Sequence, residues 1–390
     1  MNDLPLKGVR ILDFSWIIAG PTATRHLALM GAEVIKVGSA RRIDPSFRYP
    51  PFQVYNQSKM YISLNISKSE GLKLAKELVT ISDIVIENFA VGVIDRLGLG
   101  YQSLKECKSD IIMISSSGTG HSGPDKDYVA YGSLLQHYTG WNSISGYPGD
   151  EPIKGGLWAD PWVGLEIAML SCAALTNKLT TGQGQYIDFS MAESLTSNLP
   201  EAILDYQMNE RIVIPKGNKD RNFVPHGVYK CKGQDRWVAI AITDENQWQN
   251  LCKTIHREDL ITNDRFTSNV SRLLIEHEVD NIISQWTKDL YDEEVMKILQ
   301  SIGIASGPSL DIGRVYENEQ LRESGYFAPF KNTDGVTRDL PLVPWHFEDE
   351  LDLNMSPVPN LGEGNEYVFG DLLGLSEKEI LELKRQEIIY

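Results

Sequence analysis

Apolar positions recur at two spacings along this chain, and the switch between spacings of two and of three to four marks alternating strands and helices. Val9-Arg-Ile-Leu-Asp-Phe14 reads as a strand, and Ile17-Ile-Ala-Gly20-Pro21 as a turn into a helix over 22–30 that Gly31 ends. Glu33-Val-Ile-Lys-Val37 is the next strand, so the segment forms a βαβ unit and implies a parallel sheet. Further strands are predicted at 61–65, 83–88, 110–115 and 186–189. An amphipathic helix is predicted at 71–82, with Leu72, Ala75, Leu78 and Val79 on one face. The alternation predicts a doubly wound α/β domain, which binds ligands beyond the carboxyl ends of its strands.

The longest apolar stretch, 162–175, carries one charge, Glu166, and follows Gly155-Gly156-Leu-Trp-Ala-Asp160-Pro161. Asp before Pro signals a helix start, because Asp caps free backbone N–H groups and Pro suits the first helical position. Asp160 is therefore expected at the mouth of a helix enclosed by protein on nearly every side, with the helix dipole keeping it ionised at neutral pH. A plain capping role is the competing reading. Gly155 and Gly156 would let backbone N–H groups approach a developing oxyanion.

Beyond residue 200 the texture changes. Strands at 227–231 and 237–241 and helices over 246–302 read as a separate α+β unit, and 376–386 as a terminal helix with a Ser376/Glu379 capping box. The expected organisation is a large domain over 1–200, a linker over 201–224, a small α+β domain over 225–329, and a return over 330–390.

Composition narrows the function classes. The 390 residues carry a net charge of −16, which argues against nucleic acid or an anionic membrane as partner. An anionic ligand must be met by local cations, for which Arg41, Arg42 and Lys59 are candidates. Four scattered cysteines, Cys107, Cys172, Cys231 and Cys252, suggest neither a disulfide framework nor a metal site. With no basic leader or spanning segment apparent, a cytoplasmic location is expected. GxxxxGK[ST] is missing, so a P-loop reading lacks support.

The order of short motifs resembles family III CoA-transferases (the CaiB/BaiF group, with formyl-CoA and carnitine CoA-transferases). The matching pieces are Leu6-Lys-Gly-Val-Arg-Ile-Leu-Asp13, Ala19-Gly-Pro21, Gly31-Ala-Glu-Val-Ile-Lys36, Asp83-Ile-Val-Ile-Glu-Asn-Phe89, Arg96-Leu-Gly-Leu-Gly100, Ala159-Asp160 and Thr181-Gly-Gln-Gly-Gln185. The resemblance implies a Rossmann-like large domain completed by the C-terminal tail, a smaller α+β domain, and an interlocked homodimer. Asp160 would be the nucleophile, forming mixed anhydrides and an aspartyl-CoA thioester. CoA would be a substrate moiety, with no tightly bound cofactor and no metal. Its contacts would fall at Ile18, Ala19, Arg41, Arg42, Lys59, Asn88 and Arg96, and those of substrate or oxyanion at Tyr131, Gln136, Gly155 and Gly156.

Two departures stand out: position 18 is Ile where some members have Gln, and Lys-Asp-Arg-Asn replaces a glycine-rich loop after Gly217-Asn218. An acyl-CoA racemase on the same fold is the main alternative. It needs a second base, which that branch supplies with a His-Asp pair where this chain has Tyr131-Gly132; His121 or His137 would have to substitute. Intramolecular CoA transfer and a non-catalytic CoA-binding scaffold also stay open.

Overall fold

The computed structural model describes residues 4–48, 53–153, 155–331, 336–347, 353 and 355–390. The chain forms two compact units. One comprises Met1–Ser143, Pro152–Val213 and Gly325–Tyr390, and the other Ile144–Glu151 and Ile214–Ser324.

The first unit is built on β1 (Arg10–Asp13), α1 (Ala19–Leu29), β2 (Glu33–Gly38), β3 (Met60–Ser63), α2 (Ser69–Thr80), β4 (Ile84–Glu87), β5 (Ile112–Ser117), α3 (Gly132–Tyr138), α4 (Ala159–Thr181), β6 (Tyr186–Ser190) and α5 (Glu377–Arg385). The strands form one sheet in the order β3-β2-β1-β4-β5-β6, and every pairing is parallel. The order reverses between β1 and β4, and at such a switch point the loops diverge and leave a crevice.

Successive strand residues point to opposite faces, so the sheet is buried twice. Ile11, Ile84, Ile86, Ile112 and Ile114 pack beneath α1 and α4. Leu12, Ile35, Val85 and Met113 pack against Leu74 and Leu78 of α2 and against Val368, Phe369, Ile380 and Ile389. The last segment is thus part of the core. The Ser63 N–H donates to Asn365 Oδ1 at 3.0 Å, and the Asn65 N–H to the Ile388 carbonyl at 2.8 Å. Ser376 caps α5, its Oγ accepting from the Glu379 N–H, and Glu379 reciprocates to form the capping box.

Helix α4 departs from expectation in two respects. It begins at Ala159, with Trp158 at the cap position and no side-chain cap bond, so Asp160 is the second helical residue and not the cap. Nor is it enclosed within the single chain: Trp162, Leu165 and Met169, spaced three and four apart, form an exposed apolar stripe. The opposite face packs on α1 at close range. A Cβ on Gly164 would stand 2.6 Å from Thr22 Cβ and 2.7 Å from the Ala19 carbonyl oxygen, so only glycine allows this crossing.

The second unit holds the antiparallel sheet β7 (His226–Lys230), β8 (Trp237–Ala241) and β9 (Ala305–Pro308) in sequence order. Its core gathers Trp248, Phe266, Val279, Ile283 and Leu299. Arg272 is buried there, ion-paired with Glu245 at 2.8 Å and stacked 4.7 Å from the Trp248 ring.

Candidate active site

A cavity of about 430 Å³ opens at the switch point. It is lined by the loops after β1 (Trp16 to Ala19), β4 (Asn88 to Val91) and β5 (Ser116 to Gly118), and by 128–133, Leu157 and Asp160. The backbone entering it is tightly held. Asn88 clasps Trp16 from both sides, its Oδ1 accepting the Trp16 N–H at 2.7 Å and its Nδ2 donating to the Trp16 carbonyl at 2.9 Å. The next residue, Ile17, sits at φ 68°, a rare conformation for a β-branched residue. Its N–H donates to Asp44 Oδ1 at 3.1 Å. Such strain persists only where the surroundings over-determine it, and here it fixes one wall of the cavity.

Asp160 is placed by α4 against the start of α3. A Cβ on Gly132 would lie 2.1 Å from Asp160 Oδ2, so the carboxylate occupies the space that any side chain at 132 would need. Gln136, fully buried one turn along α3, donates from Nε2 to the Gly156 carbonyl at 3.0 Å and so pins the turn that leads into α4. Trp141 meets Trp158 edge to face at 5.0 Å and steadies the same turn.

Burial pushes the Asp160 carboxyl up to about 6, and the backbone N–H opposes this only in part. The dipole expected to favour the charge is therefore outweighed by desolvation. The group is still mostly ionised at neutral pH, and more nucleophilic for its raised pKa. If its carboxylate is the attacking species, turnover should climb as pH rises through about 6 and then level off. A kcat/KM profile between pH 4.5 and 8 checks this; a rate flat across pH 6 would remove Asp160 from the rate-determining step.

Of the residues singled out in the sequence, the cavity gathers Ile18, Ala19, Arg42, Asn88, Tyr131 and Asp160. Arg42 stacks 4.8 Å from the Trp16 ring centre, which holds its guanidinium at the wall. The others lie elsewhere. Lys59 is buried against Asp13 at 3.1 Å and also donates to the Pro21 carbonyl, so no phosphate can reach it. Arg41 turns outward to Glu387, at 3.2 Å with both side chains well exposed. Arg96 is exposed on the short helix Val93–Arg96, outside the cavity lining. Gly155 and Gly156 are also outside it, and the Gln136 amide serves the Gly156 carbonyl.

Neither His121 nor His137 offers a second base at the cavity. His121 meets the Tyr186 hydroxyl at 3.1 Å and His137 is exposed; neither lines the cavity. Among the described lining residues, Asp160 is the one carboxylate and none is a histidine.

The family model for CoA-transferase family III matches residues 6–365. The chain belongs to CoA-transferase family III. Relatives in this family include a succinyl-CoA–D-citramalate CoA-transferase of Chloroflexus aurantiacus, 28% identical, covering 99% of this chain and 98% of that protein. Human succinyl-CoA:glutarate CoA-transferase is 27% identical over 98% of this chain and 90% of its own. A formyl-CoA:oxalate CoA-transferase of Bradyrhizobium is 29% identical over 97% and 96%. A crystal structure of a CaiB/BaiF family protein from Brucella suis superposes with a TM-score of 0.86 at 27% identity, covering 95% of this chain and all of the other. The mixed α/β architecture with its parallel sheet is therefore the family's fold.

Sequence reasoning missed Lys126, Trp16, Ser116, Ser117 and Leu157 in this family III cavity. The serines follow directly on the strand expected at 110–115, at its carboxyl end, so position could have found them. Lys126 had no signal, being one lysine in a polar loop. Among the described residues no group of His, Cys, Asp and Glu could hold a metal, and no helix is long and apolar enough to cross a membrane.

Proposed function

We propose that this protein moves CoA from an acyl-CoA donor to a free carboxylic acid, with Asp160 as nucleophile. The observation that carries the reading is Asp160 itself: a half-buried carboxylate, mostly ionised at neutral pH, facing the switch-point cavity of a family III chain. In this reading its oxygen attacks the thioester carbonyl and the C–S bond breaks, giving a mixed anhydride and CoA thiolate. The thiolate attacks the aspartyl carbonyl and expels the donor acid, leaving aspartyl-CoA. The acceptor carboxylate attacks that thioester, and the returning thiolate takes the new acyl group and frees Asp160. Each step exchanges one substituent at a carbonyl, so no oxidant or proton carrier is needed and CoA enters only as a substrate moiety. Arg42 and Lys126 supply positive charge for its phosphates, while Ile18, Ala19 and Asn88 border the path to Asp160. The two units serve as a Rossmann-like CoA domain and a small α+β domain, in a homodimer whose second copy covers Trp162, Leu165 and Met169.

Incubating the protein with an acyl-CoA and a panel of carboxylic acids in deuterated water tests the reading. New acyl-CoA should appear only when acid is added. Deuterium at the α-carbon of a branched acyl-CoA, without acid-dependent exchange, would establish a racemase instead. The acids in the relatives' names, citramalate, glutarate and oxalate, each carry two carboxylates.

A further inference from the structure

Between β1 and α1 the backbone from Ser15 to Ile17 belongs to no strand or helix, so its polar groups must find partners elsewhere. Side chains supply them. The Ser15 N–H donates to Asp13 Oδ1 at 2.9 Å, and the Ser15 carbonyl accepts from Lys36 Nζ at 2.6 Å. Asn88 holds both groups of Trp16, and the Ile17 N–H donates to Asp44 Oδ1 at 3.1 Å, so five consecutive backbone groups are held in this way. Lys36 and Asp44 are themselves an ion pair, 3.3 Å apart with both side chains 1% exposed. One end of the pair grips the turn before Trp16 and the other grips it after. Arg42, two residues ahead of Asp44, stacks on the Trp16 ring between them. Asp44 Oδ1 also accepts the Ser46 N–H at 2.9 Å, which ties the carboxylate to its own loop.

Stability alone does not account for this arrangement. A buried ion pair is often no more stabilising than apolar residues of the same volume, and glycine would adopt φ 68° without the strain that Ile17 carries. Both costs converge on Trp16, Ile17, Ile18 and Ala19, which wall the cavity that Asp160 faces; neither Lys36 nor Asp44 lines that cavity. Attack on a thioester needs the reacting atoms about 3–3.5 Å apart, and a displacement of about 1 Å can cost about a hundredfold in rate.

We propose that Asp44 is a positioning residue for CoA transfer: paired with Lys36, it locks the turn through the Ile17 N–H, so that the wall at 16–19 holds a bound thioester within reach of Asp160. The inference rests on the transferase reading above.

Removing one partner alone would strand a buried charge, so two neutral pairs are compared. Lys36→Met with Asp44→Asn keeps an oxygen for the Ile17 N–H; Lys36→Met with Asp44→Ala does not. Donor and acceptor are the fastest combination that the parent protein shows among succinyl-CoA and butyryl-CoA with glutarate, valerate and oxalate. Where urea unfolding shows both pairs folded, kcat of the Asn pair should exceed that of the Ala pair by about thirtyfold or more, with KM for the acyl-CoA little changed, because a displaced wall spoils alignment more than binding. If the Ala pair does not fold, Asp44→Ser replaces it with the same expectation: its hydroxyl, one atom shorter, keeps the Ser46 N–H but cannot reach Ile17. Equal kcat in the folded variants, with any difference confined to the urea midpoint or KM, would overturn the role of Asp44 while leaving the transferase standing. Absence of exchange by the parent with every combination would overturn both.

Discussion

Asp160→Ala should abolish acid-dependent CoA exchange, lowering kcat by about a thousandfold or more, because no other carboxylate among the described cavity residues can form the covalent intermediate. Treating the intact protein with an acyl-CoA and then hydroxylamine should leave a hydroxamate on Asp160, detectable by peptide mass, and the variant should show none. The variant should fold, since among the described residues Asp160 makes no capping bond and no ion pair. Its stability should even rise. A carboxyl pushed up to about 6 by burial binds its proton more tightly in the folded state than in the unfolded one, so its cost to folding is full above about pH 6 and absent below the ordinary carboxylate range. Asp160→Ala should thus gain stability relative to the parent at pH 7 and lose that advantage toward pH 4. Near-normal exchange by the purified variant would end the nucleophile assignment.

Lys59→Met should unfold the protein more readily by about 3–5 kcal/mol, the usual result of removing one partner from a buried ion pair. Lys59 and Asp13 have fully buried side chains, and Asp13 also accepts from the Ser15 N–H at 2.9 Å and the Thr24 hydroxyl at 2.6 Å. Burial alone would favour a neutral Asp13, but Lys36 and Lys59 hold its carboxyl well below the usual range. Urea unfolding at pH 7 gives the loss, and adding Asp13→Asn should restore part of it, because the stranded charge is then gone. A Lys59→Met protein of unchanged stability but weakened CoA binding would return this residue to the phosphates.

Lys59 also shows where the sequence stopped being informative. Its charge and its place before a strand are visible in the letters, but its partner is 46 residues away, and the packing that removes both from water is a property of the folded sheet. Arg41 and Arg42 are adjacent and chemically identical, yet the local backbone sends one to Glu387 and the other onto Trp16. By contrast, the strand and helix alternation was legible because its two periods are local. Asp160 was legible because an acidic residue at the head of a long apolar run is conspicuous. The mistake about its helix, expected to be enclosed, arose because the sequence does not say whether apolar residues are covered by the same chain. Gly132 could be read as a glycine, but the neighbour that forbids a side chain there comes from another helix.

The bonds tying the last segment to β3 set a timetable for the nascent protein. Ser63 and Asn365 are 302 residues apart, so at about 5–20 residues per second a ribosome takes roughly 15–60 s to deliver the second after the first. Throughout that interval Leu12, Ile35 and Ile62 lack Val368, Phe369 and Ile389, the partners that help cover their face of the sheet. The unit containing Ile214–Ser324 emerges in the meantime and can close around its own core. The chain thus finishes its first-made unit last, which exposes a half-covered sheet to chaperones, and to aggregation, for most of its synthesis.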